Sequence, residues 1–287
     1  MMRFKNILLV YKLSSLQYLK KKGDFTKQLK KHPHFDKRFK RTHIRHYETL
    51  QKIEQYLKKK NIPFKKLWRG KTFDFKPFDM IITVGGDGTF LDAARQVEQQ
   101  TMAGINSDPI WSVGRLCIAN SHNYIRILDR IFSGHYKIIR LHRLKLKFAA
   151  SKYDHLFLND ILITNKNPAA MSRYLIGYKK KREEHRSSGL WVSTAVGSTS
   201  AVHSAGGKIL PFKSQNWQYR PREMYGQWHK KYSLTGSIIR PPERILVQSL
   251  MKDGFIYIDG SHRKIPFPFG EKVFITNSNH PIKFLTI

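Results

Sequence analysis

Five consecutive residues, Gly85-Gly86-Asp87-Gly88-Thr89, follow the apolar run Ile81-Ile82-Thr83-Val84 and precede a helix-like stretch. Glycines let a backbone turn sharply and approach a ligand closely, and their N–H groups can converge on phosphate oxygens. A helix that begins there points its positive end at the same spot. A carboxylate placed among phosphate-binding amides repels the anion and costs affinity unless it has a task. Two tasks fit Asp87: taking a proton from an attacking hydroxyl, or holding Mg²⁺. The purely structural alternative is an Asx-turn or a helix N-cap, which Asp87 or Thr89 could supply alone. The string is neither a Walker loop nor a GxGxxG turn, since Gly207-Lys208 has Val202 where the first glycine of a Walker loop belongs.

The elements that must carry this string read as an alternation. Phe4–Tyr11 is a strand, and Ser14–Arg41 is a basic stretch, weakly helical at first and loop-like around His32-Pro33-His34. Ile44, Tyr47, Leu50, Ile53 and Leu57 then recur at the three- and four-residue spacing of an amphipathic helix. Ile62–Trp68 reads as a strand, Phe78–Val84 as a fully buried one, 90–100 as a helix and Met102–Ile105 as a short strand. Such β-α-β-α-β order predicts a Rossmann-like α/β domain with a parallel sheet, whose ligands sit beyond the carboxyl ends of the strands. A further helix is expected at Asn123–Phe132, with Ile125, Leu128 and Ile131 on one face. Beyond it the chain is mainly β, with strands at 136–150, 156–164, 173–178, 190–194, 244–250, 255–258 and 272–276. Pro211–Pro242 reads as a long loop, and Ile282–Ile287 as a strand able to return to the first domain. The predicted division is an α/β domain over 1–121, a mainly-β domain over 122–269 and a returning segment 270–287, with a nucleotide cleft between the two domains.

The 287 residues include 53 Lys and Arg against 20 Asp and Glu, a net charge of +33. Such a charge invites a nucleic-acid partner. Yet the excess is uneven, with 23 basic and 5 acidic residues in 1–77, and the RNP1 pattern, zinc-finger spacing and leucine heptads are absent. Nucleotides gain from the same field through steering, so nucleic acid is not expected as the primary partner. No apolar run approaches the ~20 residues of a membrane span, and no signal peptide is expected. One cysteine, Cys117, excludes an intramolecular disulfide framework and a CxxC zinc site, and a cytoplasmic setting is the expectation. His32, His34, His43 and His46 lie in a basic run without carboxylates at ligand spacing and read as solvated surface, so no resident metal is expected. No Gly-x-Ser-x-Gly elbow surrounds Ser187, Ser193 or Ser198, and Arg173 reads as a surface residue.

Gly85–Thr89 resembles the signature shared by NAD kinases, 6-phosphofructokinases and diacylglycerol- or sphingosine-type lipid kinases. Leu158-Asn159-Asp160-Ile161-Leu162-Ile163 looks like the Asn-Glu/Asp strand of NAD kinases. Thr194-Ala195-Val196-Gly197-Ser198-Thr199, with Ser204-Ala205-Gly206-Gly207 after it, looks like that family's Thr-x-x-Gly-Ser-Thr segment and its sequel. Gly104-Ile105-Asn106-Ser107-Asp108-Pro109 is similar to the mitochondrial-type branch, whereas the lipid kinases' Gly-Thr-Gly-Asn-Asp is missing there. The resemblance implies a two-domain NAD kinase-like fold and transfer of the γ-phosphoryl of ATP, or of polyphosphate in some members, to the 2′-hydroxyl of the adenosine ribose of NAD or NADH. It implies Asp87 as the base, phosphates held by Gly85, Gly86, Gly88 and Thr89, and Mg²⁺ travelling with ATP. By the same resemblance Asn159 and Asp160 hydrogen-bond the nucleoside of NAD, while Thr194, Gly197, Ser198, Thr199 and Ser200 line its other side. Asn106 and Asp108 are candidates for which a plain turn is the equal alternative, as it is for the late Asp259-Gly260. The family commonly forms homodimers or homotetramers. Two departures stand out. Ser187-Ser188-Gly189-Leu190 replaces Gly-Asp-Gly-Leu, and Ser200-Ala201 replaces Ala-Tyr, so a carboxylate and a stacking aromatic are gone. A lipid kinase and a non-catalytic nucleotide- or RNA-binding protein are the rival readings.

Overall fold

The structure, a computed structural model, describes residues 4–21, 31–226 and 232–287. Parts of the basic stretch Ser14–Arg41 and of the loop expected at Pro211–Pro242 lie outside the described residues. The chain divides into two compact units: residues up to Ile139 together with Ile282–Ile287, and Arg140–Pro281.

In the first unit β1 (Ile7–Tyr11), β2 (Phe64–Trp68), β3 (Met80–Gly85), β4 (Thr101–Asn106), β19 (Ile282–Thr286) and β6 (Lys137–Leu141) form one sheet in the order β2-β1-β3-β4-β19-β6, with β5 (Ala119–Asn120) paired to β4. β1 pairs in parallel with β2 and β3, and β4 with β3 and β19. Every residue of β3 and β4 is buried, as expected of parallel strands covered on both faces. α1 (Ser15–Lys21) and α2 (Pro33–Lys59) follow β1, α3 (Asp87–Ala94) follows β3, and α4 (Tyr124–Phe132) follows β5. Leu50, Ile53, Tyr56 and Leu57 of α2 and Ile127, Leu128 and Ile131 of α4 share a core with Ile7, Leu9, Ile82 and Val84.

Several expectations change here. α2 starts at Pro33, where a loop was read; proline at the first helical position loses no helix hydrogen bond, so it opens a helix as readily as it ends one. The buried stripe of α2 is His46, Thr49, Leu50, Ile53, Tyr56 and Leu57, while Ile44 is exposed. In α4 Ile125 is likewise exposed. α3 begins at Asp87 and ends at Ala94, so Asp87, Gly88 and Thr89 form its first turn rather than a loop before it. The division between units falls at 139/140 and 281/282 rather than 121/122 and 269/270. α4 packs on the first sheet, and β18 (Lys272–Asn277) pairs inside the second unit.

The second unit holds two antiparallel six-stranded sheets. One runs β11 (Lys181–Ser187), β10 (Ser172–Tyr178), β15 (Ile245–Ser249), β18, β7 (Leu144–Phe148), β8 (Asp154–Phe157). The other runs β14 (Ser237–Ile239), β13 (Trp217–Arg222), β12 (Gly189–Ser193), β9 (Asp160–Asn165), β16 (Gly254–Ile258), β17 (Lys264–Pro266). Alternate residues of both, among them Leu146, Ile176, Val247, Ile163, Val192 and Ile256, form a common core. Part of the stretch read as loop at Pro211–Pro242 is β13 and β14. Pro221 disguised β13, yet it stands opposite Leu190 in the ladder. β11 was not foreseen because Lys-Arg-Glu-Glu-His-Arg-Ser is polar, as suits a sheet edge. Among the described residues no helix is long and apolar enough to cross a membrane.

Candidate active site

β3 delivers its chain end to Gly85, whose carbonyl accepts the Ser107 N–H at 3.1 Å. Gly86 caps α3 with extended backbone, φ −115°. None of Gly85, Gly86 and Gly88 has a positive φ, so sharp turning is not what glycine supplies here. Close approach is. A Cβ on Gly85 would lie 2.3 Å from Thr89 Oγ1, and one on Gly86 2.1 Å from Ser112 Oγ. Asp87, half-buried, accepts the Leu116 N–H on Oδ1 at 2.7 Å, and its place in the first turn suits the positive end of α3. Thr89 Oγ1 is buried and has no hydrogen-bond partner among the described residues.

The segment after β4 is a built turn. Asn106 Nδ2 donates to Ser112 O at 2.8 Å and its Oδ1 accepts the Asp108 N–H at 3.1 Å. Asp108, 2% exposed, pairs with Arg45 of α2. His46 corrects the surface reading: it is fully buried, with Nε2 2.8 Å from Lys12 O and Nδ1 2.8 Å from Ser107 Oγ. The carbonyl must accept, so Nε2 carries the proton and Ser107 donates to Nδ1. Burial, reinforced by Lys12, pushes the imidazole down to about 4. Lys12 itself follows β1. Burial holds its ammonium below the usual lysine range, with Asp108 and Cys117 opposing that shift and Arg69 adding to it. Sequence reasoning missed Lys12 and Arg45, since a lysine and an arginine in a basic stretch carry no local signal.

In the second unit Asn159 directly precedes β9 and Asp160 opens it. Asp160 is 5% exposed, and burial, aided by Asp259 and opposed by the Ser200 hydrogen bond, pushes its carboxyl up to about 6. Ser200 Oγ donates to Asp160 Oδ2 at 2.5 Å, and Asn159 Nδ2 donates to the same oxygen at 2.8 Å. Asp259 is no plain turn residue. It is buried and accepts the backbone N–H groups of Leu158, Asn159 and Asp160 at 3.2, 2.7 and 3.3 Å. Thr194 Oγ1 donates to Leu158 O at 2.6 Å and accepts the Gly197 N–H at 3.2 Å, and a Cβ on Gly197 would lie 2.2 Å from Asn159 O. Ser198 is turned inward, donating to Ala195 O and accepting the Leu210 N–H. Thr199 and Ser200 sit half-buried at the end of the 3₁₀ turn Val196–Thr199. The structure therefore gathers Asn159, Asp160, Thr194, Gly197 and Ser200, and gives Ser198 a structural task. Ser187, near the departure from the family pattern, is buried within hydrogen-bond distance of Tyr174 Oη, and Arg173 is exposed as read.

The family model of the ATP-NAD kinase N-terminal domain matches residues 13–136. A probable NADH kinase of Oryza sativa subsp. japonica is 31% identical over 260 residues, covering 83% of this chain and 80% of its own. An NADH kinase of Arabidopsis thaliana is 30% identical over 256 residues, 81% of this chain and 80% of its own. The chain belongs to the NAD kinase family. The ATP complex of an NAD kinase from Archaeoglobus fulgidus superimposes with a TM-score of 0.69 at 20% identity, over 97% of this chain and 92% of that one. The yeast NADH kinase complexed with NADH gives 0.64 at 17%, over 79% and 68%. These two likenesses concern the fold alone. ATP-dependent phosphorylation of NAD or NADH is the family's chemistry.

Proposed function

We propose that the chain transfers the γ-phosphoryl group of ATP to the 2′-hydroxyl of the adenosine ribose of NAD or NADH, with Asp87 accepting the hydroxyl proton. The observation that carries this reading is Asp87 in the first turn of α3, straight after a buried parallel strand and the Gly85-Gly86 pair. Phosphoryl transfer passes through a loose transition state, so positioning and charge neutralisation supply most of the rate and a weak base suffices. The amides of Gly85, Gly86 and Gly88 and the unpartnered Thr89 hydroxyl would bind phosphate oxygens. Asn106 and Asp108 act through the turn they build, with Asp108 near the phosphates. Asn159 and Asp160 would receive the nucleoside of NAD, with Gly197, Thr199 and Ser200 along its edge and Thr194 and Ser198 supporting the backbone beneath.

Mg²⁺ belongs to the Mg-ATP substrate. Among the described residues no group of three His, Cys, Asp or Glu side chains could hold a metal by itself, and a cation liganded mainly by phosphate oxygens needs none. The second oxygen of Asp87 has no hydrogen-bond partner among the described residues, which suits either a hydroxyl or a water of that cation. Assembly as a homodimer or homotetramer and a cytoplasmic setting complete the reading.

The test is incubation with Mg-ATP and either NAD or NADH, with the phosphorylated product measured by a coupled NADP-specific dehydrogenase or by chromatography. Product from the wild type and a loss of at least about 1,000-fold in Asp87→Asn would support the reading. No product from either nucleotide, with ATP or polyphosphate as donor, would overturn it.

A further inference from the structure

We propose that Lys12 is the cation that meets the transferring phosphoryl group, held at its post by the Asp108–Arg45 pair and by His46. The inference rests on the kinase reading and adds to it a residue that the motifs do not contain.

The sheet order supplies the first argument. From β1 the chain next enters β2 on one side, and from β3 it enters β4 on the other, so the strand order reverses between β1 and β3. In open α/β sheets the ligand crevice opens at such a reversal, outside the carboxyl ends of the two strands. Two segments flank it: Gly85–Asp87 after β3, and Lys12 after β1. Lys12 is level with the loop, since its N–H donates to Val84 O at 3.4 Å.

Charge supplies the second. The Lys12 ammonium lies within electrostatic reach of Asp108 and Arg69, and of the Cys117 thiol, which is itself within reach of Asp87. Asp108 is already paired with Arg45. Lys12 and Arg45 therefore share the field of one carboxylate, Asp108, Arg69 adds a further positive charge beside Lys12, and burial deprives Lys12 of water. A partly desolvated ammonium that, among the described residues, shares its carboxylate with Arg45 gains when an anion arrives. The buried hydroxyl of Thr89, in the first turn of α3, is a further donor without an acceptor among the described residues.

His46 supplies the third. It is neutral, and bridges Lys12 O to Ser107 Oγ, which ties the backbone of Lys12 to the segment that carries Asp108. In the transfer the ribose oxygen bonds to the γ-phosphorus, the bridging P–O bond breaks with its electron pair going to the β-phosphate, and the hydroxyl proton goes to Asp87. Lys12 moves no proton; it offsets negative charge on the phosphoryl oxygens.

The experiment compares wild type, Lys12→Met, Lys12→Arg and Asp108→Asn in steady-state kinetics between pH 6 and 10, with ATP affinity by calorimetry and thermal melts beside them. Lys12→Met is expected to lower kcat/KM for ATP by about 100-fold or more with an unshifted melt. Wild type should lose activity on an alkaline limb below the ordinary lysine range, as the ammonium deprotonates. Lys12→Arg should keep activity within about tenfold and move that limb upward, because a guanidinium does not titrate there. Asp108→Asn removes the carboxylate that favours the charged lysine and should move the limb down. An alkaline limb unchanged in Lys12→Arg, a Lys12→Met loss confined to KM for NAD(H), or no loss at all would overturn the proposal. An inactive wild type would instead sink the kinase reading and this proposal with it, whereas an active wild type beside a fully active Lys12→Met sinks only the role of Lys12.

Discussion

Asp160 and Asp259 lie side by side in the second unit and do opposite jobs. Asp259 is spent on three backbone N–H groups. Asp160 is buried with two side-chain donors on one oxygen, and its carboxyl is pushed up to about 6. Its folded value is raised, so it is the neutral acid below about pH 6 and the carboxylate above. A ribose hydroxyl donates best to the carboxylate, so KM for NAD(H) should fall as pH rises through 6, and Asp160→Asn should flatten that limb in a KM–pH series. His46 runs the other way. Its folded value of about 4 lies below the ordinary 6.5, so the folded state refuses a proton the unfolded chain accepts. Stability should be full above pH 6.5, fall as pH drops from 6.5 to about 4, and level off below, by about 3 kcal/mol in all. Denaturant melts across that window should show the slope, and His46→Gln should lack it. The Gly85–Thr89 string and Asn159-Asp160 were legible as candidates because their residues are contiguous in sequence. Lys12 and Arg45 were not, because their roles depend on partners far along the chain.

At the scale of elements, the 3₁₀ turn at Val196–Thr199 sits against β9 so closely that a Cβ on Gly197 would overlap Asn159 O. Gly197→Ala must push the turn and strand apart. We expect a loss of about 2–3 kcal/mol in denaturant melts and a KM for NAD(H) raised more than KM for ATP, since Asn159 and Asp160 move with the strand. Equal changes in both KM values would contradict that placement. Hydrophobic spacing located α2 and α4 but mis-set which residues they bury. Midway along its length α2 passes over polar backbone just beyond β1, so His46 is buried and Ile44 is not. Periodicity measures apolar contact, and such an end offers hydrogen bonds instead. β11 and β13 escaped for related reasons, one being a polar edge and the other carrying a proline.

At the scale of the molecule, the last strand returns to the first sheet. β19 lies between β4 and β6, its Leu285 joins the first core and Phe284 meets Phe90 edge-on at 5.6 Å. Deleting Ile282–Ile287 would uncover the edge of β4 and leave a gap inside the sheet. The truncated chain should lose the cooperative melt of the first unit, read by calorimetry, and aggregate through the exposed edge. The net charge of +33 also belongs to this scale. A field of that sign draws in anionic nucleotides, so kcat/KM should fall as salt rises while kcat stays level in stopped-flow and steady-state assays.

The amino-acid sequence alone determined the fold class and the family signature, and singled out Asp87 as the candidate base, because a buried strand, a glycine pair and a helix start are all local and adjacent. Only the tertiary structure decided what surrounds that carboxylate and what holds its counterpart. His46 reaches Lys12 across 34 positions, and Asp259 reaches Leu158 across 101. Such contacts leave no trace in spacing, since they form only once parallel strands and sheet ladders have brought distant backbone to hydrogen-bonding distance.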